Sequence, residues 1–173
     1  ALPIYEEDKL KIHLKIGRLL LKEKALEEND ERLFEIMKHF NYSLSLINNK
    51  KERLKLAQYN FWAGKKAKLA SAYYTANEYL SAGIALLRPS NWMTHYQIIF
   101  QLYKELATCK YLIGDFIAAD HLFSILLDNS KDTLDQLEIY RIKTEMLSTM
   151  GKHEDALKIG LAVLRNFHIK IPR

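Results

Sequence analysis

The sequence predicts an all-α fold of about eight helices, paired into hairpins that stack side by side into a right-handed superhelix. Three observations carry that expectation. Every extended segment places apolar residues three and four apart, the spacing of one helix face. Only three prolines and six glycines punctuate 173 residues, too few for many short strands. Small residues also return at matching places along the chain, as Ala76, Ala119 and Ala156. No segment shows the strict alternation of a strand.

The first helix, spanning about residues 6–24, carries Leu10, Leu14, Gly17, Leu20 and Leu21. The second, about 30–48, carries Leu33, Ile36, Met37, Phe40, Leu44 and Ile47. A third, rich in alanine and aromatics, runs from about Lys51 to Leu69. The fourth holds Ala76, Leu80, Gly83, Ile84 and Leu87, and Arg88-Pro89-Ser90-Asn91 breaks the chain after it. The fifth carries Ile98, Leu102, Leu106, Cys109 and Ile113 and stops at Gly114-Asp115. In the sixth stand Phe116, Ala119, Leu122, Phe123 and Leu126, before a loop at Asp128-Asn129-Ser130. The seventh carries Leu134, Leu137, Tyr140, Leu147 and Met150, and Gly151 closes it in the glycine position that follows many helices. The eighth, with Ala156, Ile159, Gly160, Val163, Leu164 and Phe167, has the clearest apolar stripe in the chain.

Composition bounds the class of protein. Hydrophobic residues make up 49% and charged residues 27%, the mixture of a folded soluble domain. No apolar run is long enough to span a bilayer, and no basic-then-apolar secretory leader opens the chain, so a cytoplasmic protein without membrane contact is expected. The lone cysteine, Cys109, rules out an internal disulfide framework and sits in the apolar stretch Leu106-Ala107-Thr108-Cys109, where a packed thiol is expected. A net charge of +5 raises the question of nucleic acid. The lysines are interleaved with Glu and Asp as on solvated helix faces, and Lys65 and Lys66 diverge on a helix, so no nucleic-acid partner is expected.

The repeat is the informative feature. Ala76, Ala119 and Ala156 are 43 and 37 residues apart, and Gly114 and Gly151 each precede their alanine by five. Leu80, Phe123 and Gly160 follow the alanines by four. Tyr103 and Tyr140 each stand eleven residues before a turn glycine, and Gly64 lies twelve before Ala76, where a small residue lets two helices cross closely. The pattern resembles the tetratricopeptide repeat, with a period longer than the usual ~34 residues. Lys110, Lys143 and Thr144 depart from it, standing where the repeat prefers apolar or small residues. The expected organisation is one helical-repeat domain over 1–173. It comprises an N-terminal hairpin (1–49) and degenerate repeats at 50–90, 93–130 and 131–170, packed through Gly64, Ala76, Leu80, Tyr103, Gly114, Ala119, Phe123, Tyr140, Gly151 and Ala156.

A second resemblance rests on an ordered set of stretches. These include Glu7-Asp8-Lys9 with His13, Ile16-Gly17-Arg18-Leu19-Leu20, Phe34-Glu35-Ile36-Met37 and His39-Phe40-Asn41. Further along come Leu56-Ala57-Gln58-Tyr59-Asn60, Ala63-Gly64-Lys65-Lys66-Ala67-Lys68, Ala72-Tyr73 with Ala76, and Tyr79-Leu80 with Gly83-Ile84-Ala85-Leu86-Leu87. Trp92, Tyr111-Leu112-Ile113-Gly114-Asp115-Phe116 and Ile171-Pro172 complete it. The set resembles the helical region that follows the ATPase module in large bacterial and fungal signalling proteins. Those proteins join a serine/threonine kinase-like domain, a signal-transduction ATPase of the AAA/STAND class, this region, a GAF sensor and often a histidine kinase. The resemblance implies a segment of a larger polypeptide that couples a nucleotide switch to output domains. Similarity to maltose-type transcription activators, which sense inducers with such a superhelix, implies an effector as the alternative.

Chemistry is expected elsewhere in such a protein. Gly64-Lys65-Lys66 lacks the earlier glycine of a phosphate loop, with Tyr59 in its place. His13, His39, His95, His121, His153 and His168 are scattered one per helix or loop, and His153-Glu154 does not continue to a second histidine, so neither a metal nor another cofactor is expected. Asp115, Asp120 and His121 form the one tight acid–imidazole cluster, with Asp115 better explained as a turn residue. The predicted partner site is the concave face of the first helices. It comprises Gln58, Phe61, Lys65 and Lys68, then Gln101, Lys104, Thr108 and Tyr111, then Glu138, Arg141 and Glu145. Function then divides between two classes. One is a non-catalytic coupling segment acting through neighbouring domains of its own chain. The other is an adaptor or effector-sensing module that holds a peptide or small ligand in the groove. Uncapped stack ends add an expectation of dimerisation.

Overall fold

A computed structural model describes residues 4–23 and 25–166. Among them are nine α-helices and no strand. They are α1 (Ile4–Glu23), α2 (Leu33–Tyr42), α3 (Lys50–Leu69), α4 (Tyr73–Ala85), α5 (Asn91–Thr94), α6 (Tyr96–Leu112), α7 (Phe116–Asn129), α8 (Thr133–Thr149) and α9 (His153–Asn166). The ninth helix is the one that the periodicity does not announce. The short α5 occupies the proline break, and a single turn is too brief to show a face. Phe167, His168, Ile171, Pro172 and the end of the 131–170 repeat lie outside the described residues.

Contacts group the chain into two compact units, Ala1–Glu105 and Leu106–Arg173. In the first, α2 packs on α1 and α3, and the closest pairing is α3 on α4. Leu33, Ile36, Met37, Phe40, Leu56, Leu80 and Phe100 are buried in its core. In the second, α8 packs on α7 and α9, with Phe123, Leu126, Ile139 and Met146 buried. Cys109 is also buried.

Helix ends follow from local chemistry. The second helix stops at Tyr42 rather than near residue 48, because the Ser43 hydroxyl donates to the carbonyls of His39 (3.0 Å) and Phe40 (3.2 Å) and a 3-10 turn, Leu44–Leu46, follows. Asn49 begins α3 by accepting from the backbone N–H groups of Lys51 and Glu52 at 2.9 and 3.1 Å. Asp115 caps α7 through the Ala118 N–H (3.3 Å), and Asp132 caps α8 through the Asp135 N–H (2.8 Å).

Three hairpin turns share one hydrogen-bond pattern. After α6, Asp115 N–H donates to Lys110 O (2.9 Å) and Gly114 N–H to Tyr111 O (3.0 Å), with Gly114 at φ 83°. After α8, Lys152 and Gly151 repeat both bonds onto Leu147 O and Ser148 O, with Gly151 at φ 73°. After α3, Ala72 N–H donates to Ala67 O and Ser71 N–H to Lys68 O, each at 2.9 Å, with Ser71 at φ 58°. This is the Schellman closure, in which a left-handed residue lets the chain satisfy the last helix carbonyls. Ser71 therefore takes the place of the turn glycine, five residues before Ala76.

Candidate partner-binding cleft

A wide recess lies within the first unit, between one face of α3 and the α5–α6 corner. Its volume is about 840 Å³. The α3 wall is Lys51, Leu54, Lys55, Gln58, Phe61 and Trp62, which recur at three- and four-residue steps and so share a face. The opposite wall is Thr94, Gln97, Ile98 and Gln101, with the same spacing.

Four features hold α3 in place. Gly64 lies so near Leu80 that a Cβ built on it would stand 2.5 Å from Leu80 Cγ. Absence of a side chain there lets α3 and α4 approach closely. Asn60, fully buried, exchanges two hydrogen bonds with Asn41 of α2, at 2.7 and 3.0 Å, and donates to Leu56 O at 3.1 Å. Arg53 donates from its guanidinium to Leu86 O (2.7 Å), Ala85 O (2.9 Å) and Ile47 O (3.0 Å), joining the end of α4 to the start of α3. A bidentate pair between Arg18 and Glu52, both contacts 2.8 Å, ties α1 to α3.

Gln58, Phe61 and Gln101 of the predicted groove line this recess. Lys65 and Lys68 do not. Lys65 pairs with Glu28 at 2.8 Å and lies 5.4 Å from the Phe61 ring centre, and Lys68 pairs with Glu105. Lys104 lies 6.0 Å from the Phe100 ring centre. In the second unit, the Tyr111 hydroxyl is 2.7 Å from Thr149 Oγ1, Arg141 pairs with Glu145 at 3.3 Å, and Thr108 and Glu138 are half-buried. Leu54, Trp62 and Ile98 were not among the residues expected in the groove. Extending the face of Gln58 and Phe61 one turn toward the start of α3 reaches Leu54 and Lys51, so the spacing held the signal.

The departures from the repeat pattern have local causes. Lys110 pairs with Asp115 at 3.0 Å, and Lys143 with Asp120 at 2.6 Å. The Thr144 hydroxyl donates to Tyr140 O at 2.7 Å. These pairs divide the acid–imidazole cluster: Asp115 and Asp120 have separate lysine partners, and His121 is exposed. The Lys110 ammonium, then the Ala118 N–H, hold the Asp115 carboxyl below its ordinary range.

Two of the scattered histidines meet. His13 Nδ1 and His39 Nδ1 are 3.0 Å apart, so one ring nitrogen carries the proton that the other accepts. Burial, then the neighbouring His39, and then Lys9 and Lys38 push the His13 pKa down. The Tyr42 ring lies against His13, tilted by 30°, with ring centres 4.3 Å apart. No group of three or more His, Cys, Asp or Glu able to hold a metal ion occurs among the described residues, and no helix among them is long and apolar enough to cross a membrane.

Among known proteins, the chain is similar to hybrid signal transduction histidine kinase G of Dictyostelium discoideum, with 25% identity over 187 aligned positions. The alignment takes in 95% of this chain and 5% of that protein, so the chain spans about one twentieth of the relative's length. No family profile matches the sequence, and no solved structure matches it.

Proposed function

We propose that this chain is a non-catalytic helical-repeat segment of a large signalling protein, coupling other domains through protein–protein contacts. The observation that carries this reading is the shape of the alignment: nearly the whole chain corresponds to a small stretch of a much longer histidine kinase. Helix-pair repeats in general contact their neighbours and can pass displacement along, which is the mechanical part proposed for this stretch. The finer proposal is that the neighbours are a nucleotide-switch ATPase with a kinase-like domain and a sensor, in the cytoplasm.

The deciding experiment is capture of the native polypeptide with an antibody to this segment, followed by peptide mass spectrometry. The expected outcome is a chain several times larger than 20.3 kDa with phosphate-loop and kinase peptides outside the segment. A native chain near that mass overturns the reading. A second reading, a ligand-sensing module, is favoured by one observation: the recess of about 840 Å³ on α3 falls within the range of small-molecule sites. Cross-linking of the segment within its native protein separates the two. Coupling requires contacts to domains of the same chain, and sensing requires that added ligand change them.

A further inference from the structure

The large recess has a smaller one beside it. A pocket of about 360 Å³ continues from it, and Lys51, Leu54, Thr94 and His95 line both. The two differ in chemistry. Tyr59, Phe61, Trp62 and Ile98 give the large recess aromatic and aliphatic walls, with Gln58 and Gln101 among them. Lys50, Lys51, Arg53 and Arg88 surround the small one. No Asp or Glu lines either. Arg53 commits its guanidinium to three carbonyls, so its positive charge stays fixed beside the pocket. Lys50, Lys51 and Arg88, which line it, are exposed.

We propose that the two recesses form one site for a water-soluble amphiphile with an apolar body and a single anionic head group. The body lies against Trp62, Phe61 and Ile98, and the head sits among Lys51, Lys50 and Arg88. Cationic side chains stand around the small pocket and at the adjoining end of the large recess, where Lys51 and Lys55 lie, whereas Phe61 and Trp62 stand about one to two helical turns further along α3. That separation of charge from aromatic surface selects this occupant over an acidic peptide, whose carboxylates recur along its length and would meet the apolar walls. The proposal deepens the ligand-sensing reading and is independent of the coupling one.

Trp62 lines the site and Trp92 does not, so the full chain with Trp92→Phe reports binding through one indole. Titrated with decyl phosphate below its micelle concentration, it is expected to show a saturable, one-to-one blue shift. Decanol and decyltrimethylammonium are expected to bind at least tenfold more weakly. Charge reversal by Lys51→Glu with Arg88→Glu, at exposed positions, should weaken decyl phosphate at least tenfold and leave decanol unchanged, with an unaltered melting curve confirming folding. Equal binding of the anionic and cationic amphiphiles overturns the proposal, as does decyl phosphate affinity that charge reversal leaves intact. Preference for phosphatidylglycerol vesicles over decyl phosphate overturns it in favour of a membrane surface. Binding of an acidic amphipathic peptide without decyl phosphate overturns the amphiphile while a groove partner survives. Binding of nothing removes both and leaves the coupling reading untouched.

Discussion

In the α3–α4 hairpin, Gly64 and Leu80 occupy the places that Thr144 and Gly160 hold in α8–α9. Both hairpins close with the same pair of turn bonds, yet the first is packed far more tightly. A Cβ at Gly64 has nowhere to go, whereas a Cβ at Gly160 meets nothing within 4 Å among the described residues. Burial follows the same division. Ala76, Leu80, Ala82 and Gly83 of α4 are buried, whereas in α9 Ala156 alone of the residues with described side chains is. The sequence stripe is nonetheless clearest in α9, whose Ile159, Val163 and Leu164 are half-buried. Amphipathicity says which face a helix offers, and the number of neighbours decides how much of it is covered.

Glycine-to-alanine substitutions on the two hairpins should therefore act with opposite sign. Gly64→Ala is expected to cost about 2–3 kcal/mol in urea unfolding, because Leu80 branches at the atom the new methyl would strike. An unchanged or higher midpoint would show that α3 and α4 separate freely. Next in size is Asn60→Ala, which strands the Asn41 amide and should cost about 1–3 kcal/mol. In a double-mutant cycle with Asn41→Ala, additivity would mean that the two amides are not coupled. Gly160→Ala should instead stabilise by about 0.5–1 kcal/mol, the ordinary gain for replacing a helical glycine. A loss there would reveal a neighbour on α9.

The turns supply a finer comparison. Ser71 holds the left-handed conformation that Gly114 and Gly151 adopt without a side chain. Ser71→Gly is expected to raise stability by about 0.5 kcal/mol, and Gly151→Ala to lower it by about 1 kcal/mol. Thermal melts that moved in the same direction for both would contradict a shared turn geometry. The smallest expected effect depends on pH. Folded His13 binds its proton less readily than the unfolded chain, whose imidazole titrates near 6.5. Its contribution is thus complete above pH 6.5 and declines as pH falls through that value toward the lowered folded pKa. His13→Gln should remove that slope, and a persistent slope would assign it to another group.

The all-helical class was legible because apolar spacing records the local geometry of a helix. The α3 boundary was equally legible, expected from about Lys51 to Leu69 and found at Lys50–Leu69, where the Asn49 cap fixes its first turn. Ser71 escaped notice because a serine does not announce a left-handed turn, although its distance from Ala76 matches the glycine-to-alanine distance of the other two hairpins. Asn60 stands where Tyr103 and Tyr140 stand relative to their turns, so the repeat pattern anticipates an aromatic there and assigns an amide no role. Its partner, Asn41, comes from outside that hairpin, and a repeat comparison is blind to it. The cleft was found in part. Gln58, Phe61 and Gln101 follow from the face of a first helix, but Thr94 depends on α5, which a single turn conceals.

The Arg53 clamp has an evolutionary consequence. Its three acceptors are main-chain oxygens of residues 47, 85 and 86, and a carbonyl is the same whatever side chain it belongs to. As far as the clamp is concerned, those three positions are free to drift while position 53 is not. Ile47 and Leu86 are restrained by burial, but Ala85 is exposed and bears no such restraint. Across relatives that keep the clamp, Arg53 would stay constant with no covarying partner. The clamp, unlike the packing of Gly64 on Leu80, would then be invisible to any method that infers contacts from correlated substitutions.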